Sequence, residues 1–123
     1  MNIYIAAPFK YRDTAREWAE KLSHLDTWII AEWLESELDD SDYQKHHLRE
    51  AMRDFGNIRD SDIFVLMSVD EPQRGGCLIE YGYALGQGVP CVVIGPKDWN
   101  QFFTLAKVQF ETIEEFVEWL NGS

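Results

Sequence analysis

Short apolar runs alternate along this chain with longer stretches of helical period. Asn2 to Ala6 predicts a strand that stops at Ala7-Pro8. Thr14 and Glu17 have the spacing of a capping box, and Ala15, Trp18, Ala19, Leu22 and Leu25 recur at three- and four-residue intervals, which predicts an amphipathic helix with one buried face. Thr27 to Leu34 reads as a second strand, less buried because Glu32 interrupts it. Glu35, Glu37, Asp39, Asp40 and Asp42 follow with no base among them. They read as a solvated loop rather than a metal site, because carboxylates in a run rarely converge on a point. Ser41 and Gln44 are spaced to cap the next helix, with Leu48, Ala51, Met52, Phe55 and Ile58 as its expected buried stripe. Ile63 to Ser68 is a continuous apolar strand, as in a sheet covered on both faces. A helix is expected from about Cys77 to Gln87, then a buried strand over Cys91 to Ile94, closed by Gly95-Pro96. A short strand near Val108 to Phe110 leads into Thr112-x-x-Glu115, another capping box, whose helix turns Ile113, Phe116, Val117 and Leu120 inward.

The order βαβαβαβ with a terminal βα calls for a parallel sheet with right-handed crossovers. The expectation is one doubly wound, flavodoxin- or Rossmann-like α/β domain over residues 1–123, with about five strands and helices on both faces. At 123 residues and 46% hydrophobic, the chain carries enough apolar side chain for a core. Eleven bases against 22 acids give a net charge of −11, which argues against a nucleic-acid polymer or an anionic membrane as partner. A small anion held by a local cluster of N–H donors remains compatible with that field. Two cysteines, Cys77 and Cys91, make no disulfide framework and fit a reducing cytoplasm. No apolar run approaches the ~20 residues of a membrane span, and Ile3-Tyr4-Ile5 follows the start without a signal pattern. A cytoplasmic location is expected.

In an open parallel sheet, ligands bind beyond the carboxyl ends of the strands. That directs attention to the loops at 7–12, 69–76 and 95–101. Arg74 to Gly88 holds five glycines. Gly75 and Gly76 stand where a helix begins, so unpaired N–H groups face the crevice. Gly82 and Gly86, four apart, are expected to let the helix lie close to the sheet. Glu80 is expected in the first turn, where the helix dipole keeps a carboxylate ionised. On the residues alone it is either a reactive acid or simply a well-placed helix charge.

Three segments carry a resemblance over nearly the whole chain. They are Ile3-Tyr4-Ile5-Ala6-Ala7-Pro8-Phe9, then Arg53-Asp54-Phe55-Gly56-Asn57-Ile58-Arg59-Asp60-Ser61-Asp62-Ile63-Phe64-Val65-Leu66-Met67, and Gly75-Gly76-x-x-x-Glu80-x-Gly82-x-Ala84-x-x-x-Gly88-x-Pro90. In order and spacing they resemble the nucleoside 2-deoxyribosyltransferase family, which includes hydrolases of 2′-deoxynucleoside 5′-monophosphates. The resemblance implies that Glu80 is a nucleophile toward C1′ of a deoxyribose, expelling the base. An adjacent carboxylate stabilises an oxocarbenium-like state and then traps it. Another base as acceptor gives transfer; water gives hydrolysis. It further implies that Tyr4 orients Glu80 and that Asp54 positions substrate. Read without the family, Tyr4 is a buried sheet tyrosine, and Asp54 pairs with Arg53 or Arg59 at the surface. Transferase members carry an aspartate six residues before the nucleophile, where this chain has Arg74, with Asp70 and Glu71 further upstream. Either Asp70 reaches the leaving base, or base handling has changed.

Pro8, Phe9, Lys10 and Arg12 lie in the loop at the mouth of the same crevice. Lys10 and Arg12, with Gly75 and Gly76 opposite, are candidates for holding a 5′-phosphate, or are ordinary surface charge. Phe9 and Tyr11 either stack on a base or cover the sheet edge. Asn100, with Phe102 and Phe103, resembles the family segment that reaches into a neighbouring subunit's site. Together with Trp99, these aromatics also suggest an interface on physical grounds. A homodimer or higher homo-oligomer is expected. No metal or organic cofactor is called for. His46 and His47 lack partners at metal spacing. Cys77, with a thiol lowered by the helix terminus, would need a histidine that no crevice loop supplies. Gly-x-Gly-x-x-Gly and P-loop patterns are absent. The rival reading is a non-catalytic nucleotide-sensing or protein-binding module on the same fold.

Overall fold

The computed structural model describes residues 1–35, 43–73 and 75–122, with residues 43–46 described by their backbone alone. Of the loop expected at 35–42, residues 36–42 lie outside the described residues, as do the cap at Ser41 and Gln44, the His46 side chain and Arg74. Five strands, β1 (Asn2–Ala6), β2 (Trp28–Ile29), β3 (Ile63–Met67), β4 (Cys91–Ile94) and β5 (Val108–Phe110), form one sheet in the order β2-β1-β3-β4-β5. Every pairing is parallel, with Tyr4 opposite Phe64 and Leu66 opposite Val93. Helices α1 (Arg12–Leu22), α2 (Tyr43–Arg59), α3 (Gly76–Gly86) and α4 (Ile113–Gly122) connect and close it. Packing of α1 with α4 and of α2 with α3 covers the two faces. This is the doubly wound α/β arrangement. β3 and β4 are buried throughout, as their unbroken apolar runs require. No described helix is long and apolar enough to cross a membrane.

Several local expectations are corrected. α1 begins at Arg12, because a 3₁₀ turn over Phe9–Tyr11 has already redirected the chain. Thr14 and Glu17 therefore lie inside the helix and make no capping box. β2 ends at Ile29, and Glu32–Glu35 forms a 3₁₀ turn instead of continuing as a strand. The cause is Trp33, whose buried indole Nε1 donates to Ile5 O at 2.7 Å and draws the chain across the end of β1. Arg12 and Arg16 both donate Nε–H to Leu34 O at 2.8 Å and hold that turn. By contrast, Thr112 Oγ1 accepts from Glu115 N–H at 3.2 Å, the half of the expected capping box that the structure forms.

The stripe on α2 overhangs the core. Ile58 is fully buried and Phe55 stacks on Tyr83 of α3 with ring centres 3.9 Å apart, but Leu48 is 68% and Met52 66% exposed, and Ala51 is exposed too. Gly82 and Gly86 face away from the sheet. A Cβ added at either would meet no atom within 4 Å, so they do not allow a close approach within the chain. The glycine that does so is Gly95, at φ +144°, where a Cβ would stand 1.7 Å from Ser68 O.

Candidate active site

β1 and β3 lie side by side at the centre of the sheet, and α3 follows β3 across its carboxyl edge. Tyr4, fully buried in β1, stacks on Phe64 of β3 with ring centres 5.6 Å apart. This fixes the direction of its phenol, which donates to Glu80 Oε2 at 2.8 Å. Glu80 is the fifth residue of α3, past the first turn, where the influence of the dipole has faded. Asp54 of α2 completes the group by hydrogen bonding to Glu80 and accepting from Arg53 Nη2 at Oδ1, at 3.2 Å.

Burial pushes Glu80 up to about 8 from the ordinary 4.5; the charge of Asp54 and its hydrogen bond act in the same direction, against the phenol of Tyr4 and the charge of Arg53. Burial also raises Asp54, opposed by the charge and hydrogen bond of Arg53 and by the bond from Glu80. Burial raises both acids, and two hydrogen-bonded carboxyls in one cleft hold a single proton between them at neutral pH. The expectation that the dipole keeps Glu80 ionised is therefore corrected: at neutral pH desolvation and a neighbouring carboxylate outweigh it. Tyr4 is pushed far above its usual range by burial and then by Glu80, so it stays a donor. Cys77 is buried, and burial with the charge of Glu80 pushes its thiol up to about 11. The lowered thiol considered for it is overturned.

A cleft of about 290 Å³ opens beside these acids, lined by Glu80, Gly76 and Ile79 of α3 and by His47, Glu50, Ala51, Asp54 and Phe55 of α2. The structure thus brings Tyr4, Glu80, Asp54 and Gly76 together. Sequence reasoning missed His47 and Glu50 as neighbours of the site, and had Arg53 only as a surface partner of Asp54, a pair the structure forms beside Glu80. Their signal was present, since His47, Glu50 and Asp54 recur at helical spacing along one face.

The remaining candidates are held as follows. Pro8 O accepts from Tyr11 N–H at 2.9 Å and starts the 3₁₀ turn. Phe9 is about half exposed, with the Arg12 guanidinium 5.3 Å from its ring centre. Lys10 forms an ion pair with Glu71, whose Oε1 also accepts from the Tyr11 hydroxyl at 3.3 Å. These contacts strap the first loop to Glu71 and Leu34, not to Glu80. Asp70 is exposed, in the left-handed region at φ +68°. Gly75, at φ +85°, caps α3 without a side-chain bond. Asn100 Oδ1 accepts from Phe102 N–H at 2.9 Å and caps a 3₁₀ turn over Gln101–Leu105. Phe103 is core, 1% exposed, so it is not part of an exposed aromatic surface.

Compared by sequence, the chain matches no family model and no curated protein. Compared by structure, it superposes on a conserved protein from Enterococcus faecalis V583 with a TM-score of 0.75 at 18% identity, covering 99% of this chain and 98% of that one. A 2-deoxyribosyltransferase from Bacillus psychrosaccharolyticus gives a TM-score of 0.76 at 19% identity, covering 95% of this chain and 90% of the enzyme. The Clostridium botulinum CMP N-glycosidase BcmB gives 0.60 at 15% identity, with 100% of both chains covered. The chain shares the fold of the transferase and the N-glycosidase. At these identities the likeness is one of fold, and the chemistry has to come from the side chains around Glu80.

Proposed function

We propose that this protein is an enzyme that cleaves the N-glycosidic bond of nucleosides or nucleotides, with 2′-deoxynucleosides and their 5′-monophosphates as substrates and Glu80 as nucleophile. The observation that carries the reading is the group Tyr4–Glu80–Asp54, two acids and a fixed phenol in a cleft at the carboxyl edge of the sheet. The names of two proteins with this fold, a 2-deoxyribosyltransferase and a CMP N-glycosidase, support the same bond class.

The two acids share a proton that both half-reactions need. Glu80 passes it to Asp54, and Asp54 delivers it to the departing base as the C1′–N bond breaks and its electron pair leaves with nitrogen. Glu80 oxygen bonds to C1′ in the same displacement, while the Tyr4 phenol holds Oε2 and leaves Oε1 to attack. Water or a second base then displaces Glu80, the acceptor's proton returns to the acid pair, and configuration at C1′ is retained. Arg53 keeps Asp54 ready to take the proton. A 5′-phosphate would compete with Glu71 for Lys10. That ion pair is exposed, and such pairs contribute at most about 1 kcal/mol, so a dianion displaces it readily.

The test is incubation with deoxynucleosides and deoxynucleoside monophosphates, with and without a second free base, followed by chromatography. Free base from wild type, abolished in Glu80→Gln, is the expected result; a new nucleoside identifies transfer and free sugar identifies hydrolysis. Tight nucleotide binding without turnover would support the sensing module instead. Undiminished base release by the variant would remove Glu80 from the reaction.

A further inference from the structure

Lys10 is paired with Glu71, but Arg12, two residues on, turns the other way. Arg12 and Arg16 stand one helical turn apart on α1, and both donate Nε–H to the one carbonyl oxygen of Leu34, each at 2.8 Å. Their Nε atoms are therefore no more than twice that distance apart, and two full positive charges lie side by side against a single carbonyl dipole. Like charges at this spacing weaken a helix. The turn over Glu32–Glu35 is already fixed by the Trp33 indole, so one arginine suffices as a tether and the second adds repulsion.

Nothing among the described residues offsets that charge. Arg12 has no ion pair there, and its guanidinium lies 5.3 Å from the Phe9 ring centre. Arg16 has only Asp13 Oδ1, 3.6 Å from Nη1, beyond hydrogen-bonding distance and on a side chain 95% exposed. Glu32 and Glu35, in the very turn that the two arginines hold, are exposed and pair with neither. In a chain of 22 acids and 11 bases, two neighbouring guanidiniums without a hydrogen-bonded carboxylate run against the composition.

We infer that Arg12 and Arg16 form a binding site for a phosphoryl group, separate from the Glu80 cleft. With Nε engaged, each guanidinium keeps both Nη groups, and two planar forks suit the several oxygens of a tetrahedral anion. The Leu34 carbonyl and the Phe9 ring steady the forks beforehand, so less freedom is lost on binding. The Arg16 side chain is 42% exposed and Arg12 partly so, which leaves both open to an anion from solvent. The site flanks β2, an edge strand, and shares no residue with the lining of the Glu80 cleft. It is also not the site expected from Lys10, Arg12 and the glycines of α3, because the structure gives Lys10 to Glu71 and Arg12 to Leu34.

Inorganic phosphate is the probe. No turnover is needed, so the site stands or falls apart from the proposed function. Arginine Nε–H groups are followed by proton–nitrogen NMR at constant ionic strength. Arg12 and Arg16 should shift together and saturate with one dissociation constant, while Arg49 and Arg59, exposed on α2, show no saturation. At about ten times that constant, phosphate should raise the melting temperature by roughly 4–6 °C over chloride. Arg16→Lys keeps the charge and a donor for Leu34 O but loses the fork. Its phosphate affinity should fall about tenfold with little change of melting temperature in chloride, a split that a mere tether does not produce. Titration with a deoxynucleoside 5′-monophosphate and with its nucleoside distinguishes the sources: tighter binding of the monophosphate assigns the group to a nucleotide, and equal binding assigns it to free phosphate. Shifts that never saturate, undiminished affinity in Arg16→Lys, or saturation confined to Lys10 and Tyr11 would overturn the site.

Discussion

Replacing Glu80 by Gln should stabilise this protein, and more strongly at pH 8 than at pH 5. In the folded chain Glu80 holds its proton up to about pH 8, whereas its ordinary value is 4.5. Between those values the folded state binds a proton that the unfolded state has released. Stability contributed at low pH is therefore lost as pH rises through that window, at up to ~1.4 kcal/mol per pH unit. Sharing of the proton with Asp54 broadens the transition, and a total of about 2–4 kcal/mol is expected across it. Gln preserves the shape and both bonds, accepting from the Tyr4 phenol and donating to Asp54, but has no proton to lose. Urea unfolding of both proteins at half-unit steps from pH 4 to 9 gives the difference in stability directly. Subtraction removes the three histidines and the general repulsion of a chain of net charge −11. The difference should be flat below about pH 4.5, rise through neutrality, and level off above about pH 8. A difference independent of pH would mean that folded Glu80 titrates at its ordinary value, and the argument from its burial and from Asp54 would be wrong.

The neighbours of Glu80 should move its titration in opposite directions. Tyr4→Phe removes a bond that lowers it, so the fall of kcat/KM at high pH should shift upward, with a loss of about 10–100-fold near neutrality from the loosened carboxylate. Asp54→Asn removes a charge and a hydrogen bond that raise it, so the same limb should shift downward while kcat falls for want of the proton carrier; equal shifts in one direction would contradict the assigned partners. Gly95→Ala should destabilise the fold by roughly 3 kcal/mol or more, or prevent soluble expression, because the added carbon collides with Ser68 O. Melting temperature checks this, and an unchanged value would refute the close approach.

Much of the architecture is legible in the chain because burial on two faces leaves a simple trace. Ile63 to Met67 and Cys91 to Ile94 are unbroken apolar runs, and both became interior strands. Tyr4 and Asp54 could be picked out by resemblance alone, and Glu80 by resemblance and its place near a helix start, and the three meet in space. What stayed hidden depends on relations between elements. Periodicity assigns Leu48, Met52, Phe55 and Ile58 to one face of α2, but only Phe55 and Ile58 meet the core, and which positions do so depends on the elements packed against the helix. Gly82 and Gly86 carry no mark of which way they point. The early end of β2 follows from a single indole reaching Ile5 O. The protonation of Glu80 was misread because a dipole is visible in a sequence, whereas desolvation and a carboxylate 26 positions away are not.

The account stands most directly on whether Glu80 bonds to the sugar. Mass spectrometry of protein quenched in acid during turnover, then digested, should find the peptide containing Glu80 heavier by one deoxyribosyl group, or its 5′-phosphate form. The same peptide from Glu80→Gln should be unmodified. Turnover with no adduct at any quench time, or an adduct on another residue, would contradict nucleophilic attack by Glu80.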